Sequence, residues 1–459
     1  MSQPTTETDP ADKHPKNPKS TVRHTRAIAR DRSKHAMSAP PAEAVAARLT
    51  DIVHPATLQQ VVYFHELGLR ERVLNLPIMV GLVLGMIWRE VGSVSELTRL
   101  IHKELVLWVP PLTRMTQQAL AKRLQTLPAA LFQRVLETVL PVLHERWHLR
   151  QRPVPPEVAW AQAHYRRFLI ADGSTLDALL RELKLLADGT EVALAGRMLA
   201  LLDGASRLPV QLWFESNPAA HDQHFWPPVE SALCAGDLLL VDLGFTNFEM
   251  FAEITRMGVV FITRAKTNLA CTVETKTITT TNVRDWRVIV GTGPRRQTLR
   301  LVQVRYRGKW YRYLTNELDA QTLPTAYVVA LYWQRWRIED AYALVKRLLG
   351  LAYVWCGTDN AIQLQLWATW LLYAVLLDMV DAIADRLQQP VAAVSVEMTY
   401  RSLYFATQAI HRGETTDPIA YLADNALDFG ILKRPRKSRP PVVILEIVSN
   451  LLHDANTKL

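Results

Sequence analysis

Tyr332, Arg335, Glu339 and Lys346 place a phenol, two cations and a carboxylate at offsets of 0, 3, 7 and 14 along the chain. An α-helix turns about 100° per residue, so these offsets return to within about 60°, 20° and 40° of the first side chain. One regular helix would therefore carry all four on a single stripe. At ~1.5 Å per residue the stripe is about 21 Å long, a length suited to a polyanionic chain lying along the helix. A solvated helix face fits the same residues, because Arg335 and Glu339 are also an ordinary i,i+4 pair worth a few tenths of a kcal/mol.

Upstream, two apolar runs stop at an aspartate. Phe168-Leu169-Ile170-Ala171 leads to Asp172-Gly173, and Leu238-Leu239-Leu240-Val241 leads to Asp242-Leu243-Gly244. Short apolar runs with such punctuation read as buried strands. Each would deliver a carboxylate to a strand end, with a glycine behind it to let the chain turn. Two aspartates and a helical glutamate can converge as hard oxygen ligands for magnesium, with manganese as a substitute. A pair of such ions activates the attacking oxygen and stabilises the leaving one in phosphoryl transfer.

These residues resemble those of the DDE transposases. Asp172, Asp242 and Glu339 look like that family's catalytic and metal-binding triad. Tyr332, Arg335, Glu339 and Lys346 match the Y-x2-R-x3-E-x6-K signature of the insertion-sequence transposases of family four. The phrases Ile170 to Leu176, Asp242 to Phe245, Phe261 to Lys266 and Tyr313 to Asn316 are similar to that family's, and the likeness runs over about residues 90 to 400. The resemblance implies a ribonuclease-H-like catalytic core, two divalent ions, and cut-and-paste cleavage at transposon ends followed by strand transfer. It further implies double-stranded DNA partners, both terminal inverted repeats and target, a homodimer in the synaptic complex, no membrane, and a bacterial cytoplasmic or nucleoid location. Tyr332, Arg335 and Lys346 would grip the DNA end. Two alternatives stay open: a ribonuclease-H-like nuclease that cuts without strand transfer, and a regulator that occupies ends without cutting.

Rival residues are weighed on their surroundings. Asp203 ends the run Met198 to Leu202, but a second run, Leu208 to Phe214, follows at once, so Asp203-Gly204 reads as a hairpin turn. Asp177, Asp222 and Asp237 follow no strand-like run and read as surface or capping residues. His144-Glu145-Arg146-Trp147-His148 matches the zinc-protease pattern H-E-x-x-H, yet Arg146 puts a cation inside it. No G-x-x-x-x-G-K-[ST] loop occurs, which argues against an ATP-driven motor.

The 459 residues are 49% hydrophobic, enough for a large core, and carry a net charge of +9 that favours a polyanionic partner. Basic residues cluster twice: Arg295, Arg296, Arg300, Arg305, Arg307, Lys309 and Arg312, and then Lys433, Arg434, Arg436, Lys437 and Arg439. Cys234, Cys271 and Cys356 are too few and too scattered for a disulfide framework or a zinc knuckle. Leu76 to Trp88 and Leu366 to Leu377 are apolar but shorter than the ~18 residues that suggest a membrane span, and read as core helices.

The expected organisation is α/β, a ribonuclease-H-like core interrupted by a β-rich insertion, with helical regions at both ends. Residues 1–40 form a disordered basic tail. Residues 41–155 are helical and bind the DNA end, with Ser93 to Glu104 and Thr116 to Leu127 as a candidate helix-turn-helix. Thr116 would cap the second helix, whose Gln117, Gln118, Lys122 and Arg123 suit base edges and phosphates; an ordinary bundle fits equally. Residues 156–266 give the first part of the core in the order strand, strand, strand, helix, strand. Residues 267–323 alternate with period two, as in Val273, Thr275 and Thr277 and in Arg300, Val302, Val304 and Tyr306 before a Gly308-Lys309 turn. Either Trp286 or Trp310 in this insertion would stack on a displaced base, or pack in the core. Residues 324–400 complete the core, and 401–459 serve dimerisation or DNA contact.

Overall fold

The computed structural model describes residues 43–70, 72–91, 93–177, 194–217, 219–351, 358–432 and 444–456. The expected tail, the basic run from Lys433 to Arg439 and Cys356 lie outside the described residues. The strands are β1 (Arg167–Asp177), β2 (Leu194–Asp203), β3 (Pro209–Glu215), β4 (Asp237–Val241), β5 (Val260–Arg264), β6 (Cys271–Thr279), β7 (Val283–Val290), β8 (Gln297–Tyr306) and β9 (Lys309–Thr315). They form one sheet in the order β3-β2-β1-β4-β5-β9-β8-β7-β6. The pairs β1/β4 and β4/β5 are parallel and the others antiparallel.

Both apolar runs that ended at aspartates are buried strands. Phe168 and Ile170 of β1 face one core, and Leu169 and Ala171 the other. Leu238 and Leu240 of β4 divide from Leu239 and Val241 in the same way. A sheet covered on both faces needs such continuous apolar runs. Asp237, read from sequence as surface or capping, is instead fully buried at the start of β4, where Arg167 forks onto both of its oxygens. A carboxylate that starts a buried strand needs a fixed cation, and nothing local in the sequence announces one supplied from the neighbouring strand.

One core lies between the sheet and a large helical layer. Its earlier helices are α1 (Glu43–Leu58), α2 (Val61–Glu66), α3 (Leu76–Trp88), α4 (Val94–Lys103), α5 (Gln117–Thr126), α6 (Ala130–Leu149) and α7 (Pro156–His164). The two short helices expected in this region form, the second with its expected cap: Thr116 Oγ1 accepts from Ala119 N at 3.2 Å, and Ser93 Oγ caps the first by accepting from Glu96 N at 3.0 Å. On the other side of the sheet, α8 (Trp226–Ala232) and α9 (Phe248–Arg256) cover the second core. Then come α10 (Thr325–Gln334), α11 (Trp336–Ala343), α12 (Asp359–Arg386), α13 (Val396–His411), α14 (Pro418–Asp424) and α15 (Ile444–Asn456).

The apolar run Leu366 to Leu377 is the middle of α12, which is long and apolar enough to cross a membrane, but its most apolar stretch is 94% buried inside the protein. It therefore serves as a core helix. Arg150, just after α6, locks onto α12 through Asp378 and Asp381, both at 2.6 Å. Gln151 N donates to Asp385 Oδ1 at 2.7 Å.

The insertion is not set apart from the core. β9 pairs with β5 in the register Ile262↔Thr315 to Arg264↔Tyr313, so β6 to β9 extend the central sheet. Asn316 pins this junction by accepting from Phe261 N and donating to Val259 O, each at 2.8 Å. The β8–β9 turn is Arg307-Gly308, one residue earlier than expected, and both residues have positive φ, the geometry of a tight two-residue hairpin.

Arg300, counted above with the basic cluster, is buried at 1% exposure and holds Asp285 through two nitrogens, at 2.8 and 2.6 Å. It also donates to Leu323 O at 2.6 Å and to Thr325 Oγ1 at 3.2 Å, at the start of α10. This ion pair thus ties the insertion to the helix that carries Tyr332. Arg300→Met strands the Asp285 carboxylate, so stability in a denaturant titration should fall by about 3–5 kcal/mol.

Candidate active site

Parallel pairing of β1 with β4 ends at Ala171↔Val241, so Asp172 and Asp242 are the next residues on adjacent strands. A crevice outside the carboxyl ends of parallel strands is where α/β sheets place ligands. β4 stops there, as expected. β1 does not: it continues to Asp177 because β2 keeps pairing, with Asp172 opposite Ala200 and Gly173 opposite Leu199. Asp172 is therefore mid-strand rather than at a strand end.

The four signature residues do not share one regular helix. α10 ends at Gln334, Arg335 lies at a break, α11 starts at Trp336, and Lys346 sits in a π-helical turn, Leu344–Leu348. Backbone bonds from Arg335 N to Tyr332 O (3.0 Å) and from Ile338 N to Arg335 O (3.1 Å) tighten the chain to i→i+3 spacing on both sides of Arg335. The residues still converge, because the break turns Arg335 inward. Nη1 donates to Asp172 Oδ2 at 2.8 Å, Nη2 donates to Glu339 Oε1 at 2.9 Å, and Nε lies 3.7 Å from Asp242 Oδ1. At 4% exposure, one guanidinium gathers all three carboxylates. The contact with Glu339 is the i,i+4 pair that the spacing predicts, whereas those with the two aspartates are made only by the fold.

Tyr332 donates its hydroxyl proton to Asp242 Oδ1 at 3.1 Å, and Lys346 Nζ donates to Ser174 Oγ at 2.6 Å and to Thr175 O. Burial pushes the Asp172 carboxyl up to about 7, against the pull of Arg335 and with the push of Asp242 and Asp222. Burial likewise raises the Tyr332 phenol, which stays a donor. Desolvation works against the Arg335 cation, but Tyr332, Asp172, Asp242 and Glu339 outweigh it and hold its pKa above the ordinary guanidinium value.

Two supports escaped the sequence reading. Tyr342 is buried; its hydroxyl donates to Asp172 O and accepts from Ala200 N at 3.1 Å, fixing the backbone at Asp172. Its i+3 spacing from Glu339 could have pointed to it. Asp222, read as surface or capping, is held by Arg197 and wedged between two glycines. A Cβ on Gly173 would lie 2.3 Å from Asp222 Oδ1, and one on Gly244 would lie 2.6 Å from Oδ2. Neither glycine has positive φ. They are needed for this close approach, not for the sharp turns expected. Gly244→Ala should thus push Asp222 and the Asp242 loop apart by up to about 1 Å and slow any chemistry at the triad about 10²-fold, with duplex binding unchanged in a mobility-shift assay.

Asp203 caps the β2–β3 turn as expected, accepting from Ser206 N at 2.6 Å and Ala205 N at 3.2 Å. Of the end-recognition candidates, Gln117, Gln118 and Lys122 are exposed, whereas Arg123 is half-buried over the Phe64 ring at 5.2 Å. Trp286 and Trp310 are half-buried on the insertion, with Arg284 between them at 5.4 and 4.5 Å from their rings. Arg146 of the H-E-x-x-H sequence ion-pairs with Asp51 at 2.7 Å and Asp378 at 3.5 Å, which gives that stretch of α6 a structural role. Among the described residues no group of three or more His, Cys, Asp or Glu side chains is spaced to hold a metal ion directly. By donor type, the triad fits a hard divalent ion, being oxygen-only. Asp242 and Glu339 are 37% and 44% exposed at the side chain, so the cluster opens to solvent on one side.

Residues 180–375 match the family described as Transposase DDE domain. That span holds Asp242 and Glu339 and starts after Asp172. The chain is also 26% identical over 177 residues to the putative transposase y4zB of Sinorhizobium fredii (strain NBRC 101917 / NGR234), which covers 35% of this chain and 47% of the relative. Both matches are to transposase sequences. The chain spans about half the length of that curated relative. A solved structure, the cryo-EM structure of piggyBac transposase synaptic complex with hairpin DNA, aligns over 88% of this chain and 87% of its own at 12% identity, with a TM-score of 0.40.

Proposed function

We propose that this chain is a cut-and-paste DNA transposase of insertion-sequence family four, cleaving transposon ends and joining them to target DNA. One observation carries the reading: Arg335 draws Asp172, Asp242 and Glu339 together where the parallel pairing of β1 with β4 ends, with Tyr332 bonded to the second of these carboxylates. The strand order β3-β2-β1-β4-β5, with β1, β4 and β5 parallel, supports a ribonuclease-H-like core. The extension β6 to β9 is the β-rich insertion between the second aspartate and the glutamate.

Asp172, Asp242 and Glu339 would hold magnesium, or manganese in its place, as one or two ions. A bound divalent ion supplies charge neutralisation at phosphate and a more acidic bound water. The chain's own groups do the rest. Arg335 holds the three carboxylates in one cluster, and its guanidinium is the group that would donate to a phosphate oxygen placed beside them. Lys346, on the β1 side of the crevice, offers a second cation for the DNA strand. Lys276, Trp286, Arg284 and Trp310 form a cationic and aromatic strip on the insertion, suited to a base displaced from the duplex. Gln117, Gln118 and Lys122 on α5 are accessible for end recognition. Pairing of two ends by a homodimer, and a place in the bacterial cytoplasm or nucleoid, belong to the same proposal.

The test is product analysis on paired transposon ends with magnesium or manganese. Strand cleavage followed by joined products is the expected result. Cleavage without joining would favour a nuclease, and end binding with neither product would favour a regulator.

A further inference from the structure

A second cationic site lies behind the break that turns Arg335 inward. Trp147, Arg152, Arg207, Gln334 and Arg337 line a cleft of about 380 Å³, counting its open mouth. Arg152 is 5% exposed and stacks over the Trp147 ring at 4.2 Å. Its Nε pairs with Asp381 at 2.5 Å and its Nη1 donates to Trp147 O at 3.1 Å, while Nη2 has no partner. Arg207 is 8% exposed, and among the described residues its side chain has neither an ion pair nor a hydrogen bond. Arg337 donates from Nε to Gln334 Oε1 at 3.0 Å and has no carboxylate within ion-pair distance among the described residues.

Acidic groups are near: Asp340 and Glu157 both act on the Arg337 charge, though neither makes an ion pair with it. Asp381 is shared by Arg150 and Arg152, and Glu157 accepts from Gln334 Nε2 at 2.5 Å. Arg207 and Arg337 therefore line one cleft without a carboxylate in ion-pair distance of either among the described residues. Buried like charges of this kind call for an anion. The backbone at Arg207 sharpens the point, because φ of +65° suits Gly or Asn far better than arginine.

We propose that this cleft binds a phosphate group between Arg152, Arg207 and Arg337. Two guanidinium forks without an ion pair match a dianionic, tetrahedral oxyanion better than a single carboxylate. The phosphate is either free or part of a DNA backbone. Because Gln334 and Arg337 flank Arg335 in the chain, a phosphate bound here would contact both sides of the α10–α11 break. The assignment stands apart from the proposed activity.

The test uses the full chain with Arg207→Asn, which keeps a residue tolerant of positive φ, and Arg337→Gln. In the first arm, thermal unfolding is followed against inorganic phosphate, with sodium chloride matched for ionic strength. The midpoint of the parent should rise with phosphate beyond the chloride control, and each variant should need about tenfold more phosphate for the same rise. Any phosphate held at the triad would act equally on parent and variants. In the second arm, duplex affinity is measured over a salt series. If the phosphate belongs to DNA, each variant lowers the salt slope by about one contact while the free-phosphate response is weak. A rise in the first arm assigns a free oxyanion, and a flattened slope in the second assigns a backbone phosphate. A parent whose midpoint follows ionic strength alone, with the same duplex salt slope in parent and both variants, overturns the proposal.

Discussion

Alanine at Asp172, Asp242 or Glu339 is expected to lower cleavage of transposon-end DNA by about 10³-fold or more, with duplex affinity nearly unchanged. The split follows from the division of labour among charges. Duplex affinity comes mainly from lysine and arginine on phosphates, and removing a carboxylate deletes none of these. The three variants differ in their structural cost. Glu339 is 44% exposed at the side chain, so Glu339→Ala should leave folding almost intact and gives the cleanest reading. Asp172 is 14% exposed and bonded to a buried guanidinium, so Asp172→Asn is the better choice there, keeping the volume and one acceptor for Arg335. Asp203→Ala, by contrast, should weaken the β2–β3 turn and leave cleavage in place. Magnesium-dependent cleavage that survives in a folded Asp242→Ala protein would remove the triad, and the proposed chemistry with it.

What the sequence could reveal depended on the range of the interactions involved. Strands β1 and β4 were legible because both faces are buried, so their apolar runs are continuous and end where the crevice opens. Asp203 was legible because a turn is local, and two apolar runs bracket it. Asp222 was not legible. Its function depends on Arg197 from β2 and on two glycines from β1 and the loop after β4, a meeting arranged only by the folded sheet.

The basic cluster misled for a similar reason. Arg300 has the composition of a phosphate ligand, but its partner Asp285 stands on the neighbouring strand and its other contacts at the start of α10 and just before it. The strands of residues 271–315 were legible, although β6 is exposed along most of its length and β8 is buried on both faces rather than alternating; their fusion with the central sheet required the pairing of β5 with β9, about fifty residues apart, which alternation cannot indicate. The helical stripe failed differently. An ideal wheel assumes constant pitch, and this chain breaks pitch at Arg335 and again at the π turn, so the four side chains come together by a geometry the wheel does not describe.

Arg335 is where that failure matters most, and its replacement is the second large expected effect. Arg335→Ala should reduce cleavage about 10²–10³-fold and lower stability by about 2–3 kcal/mol, because Asp172 loses its cation while staying next to Asp242 and Asp222. The pH dependence has a definite sign. In the parent, the Asp172 carboxyl is pushed up to about 7 from an ordinary 3.8, so the folded state binds this proton more tightly than the unfolded chain does. Its contribution to stability therefore falls as pH rises from about 4 to about 7 and is level above that. Removing the guanidinium takes away the main influence that lowers this pKa and extends the decline to higher pH. In chelator, the stability deficit of Arg335→Ala relative to the parent should be larger at pH 8 than at pH 5.5. Arg335→Lys should recover part of the stability, since an ammonium still pairs with Asp172, but little of the cleavage, since one point charge cannot span three carboxylates. A deficit independent of pH, or a lysine variant that cleaves like the parent, would mean that Arg335 acts as a general positive charge and not as the fork that sets the triad.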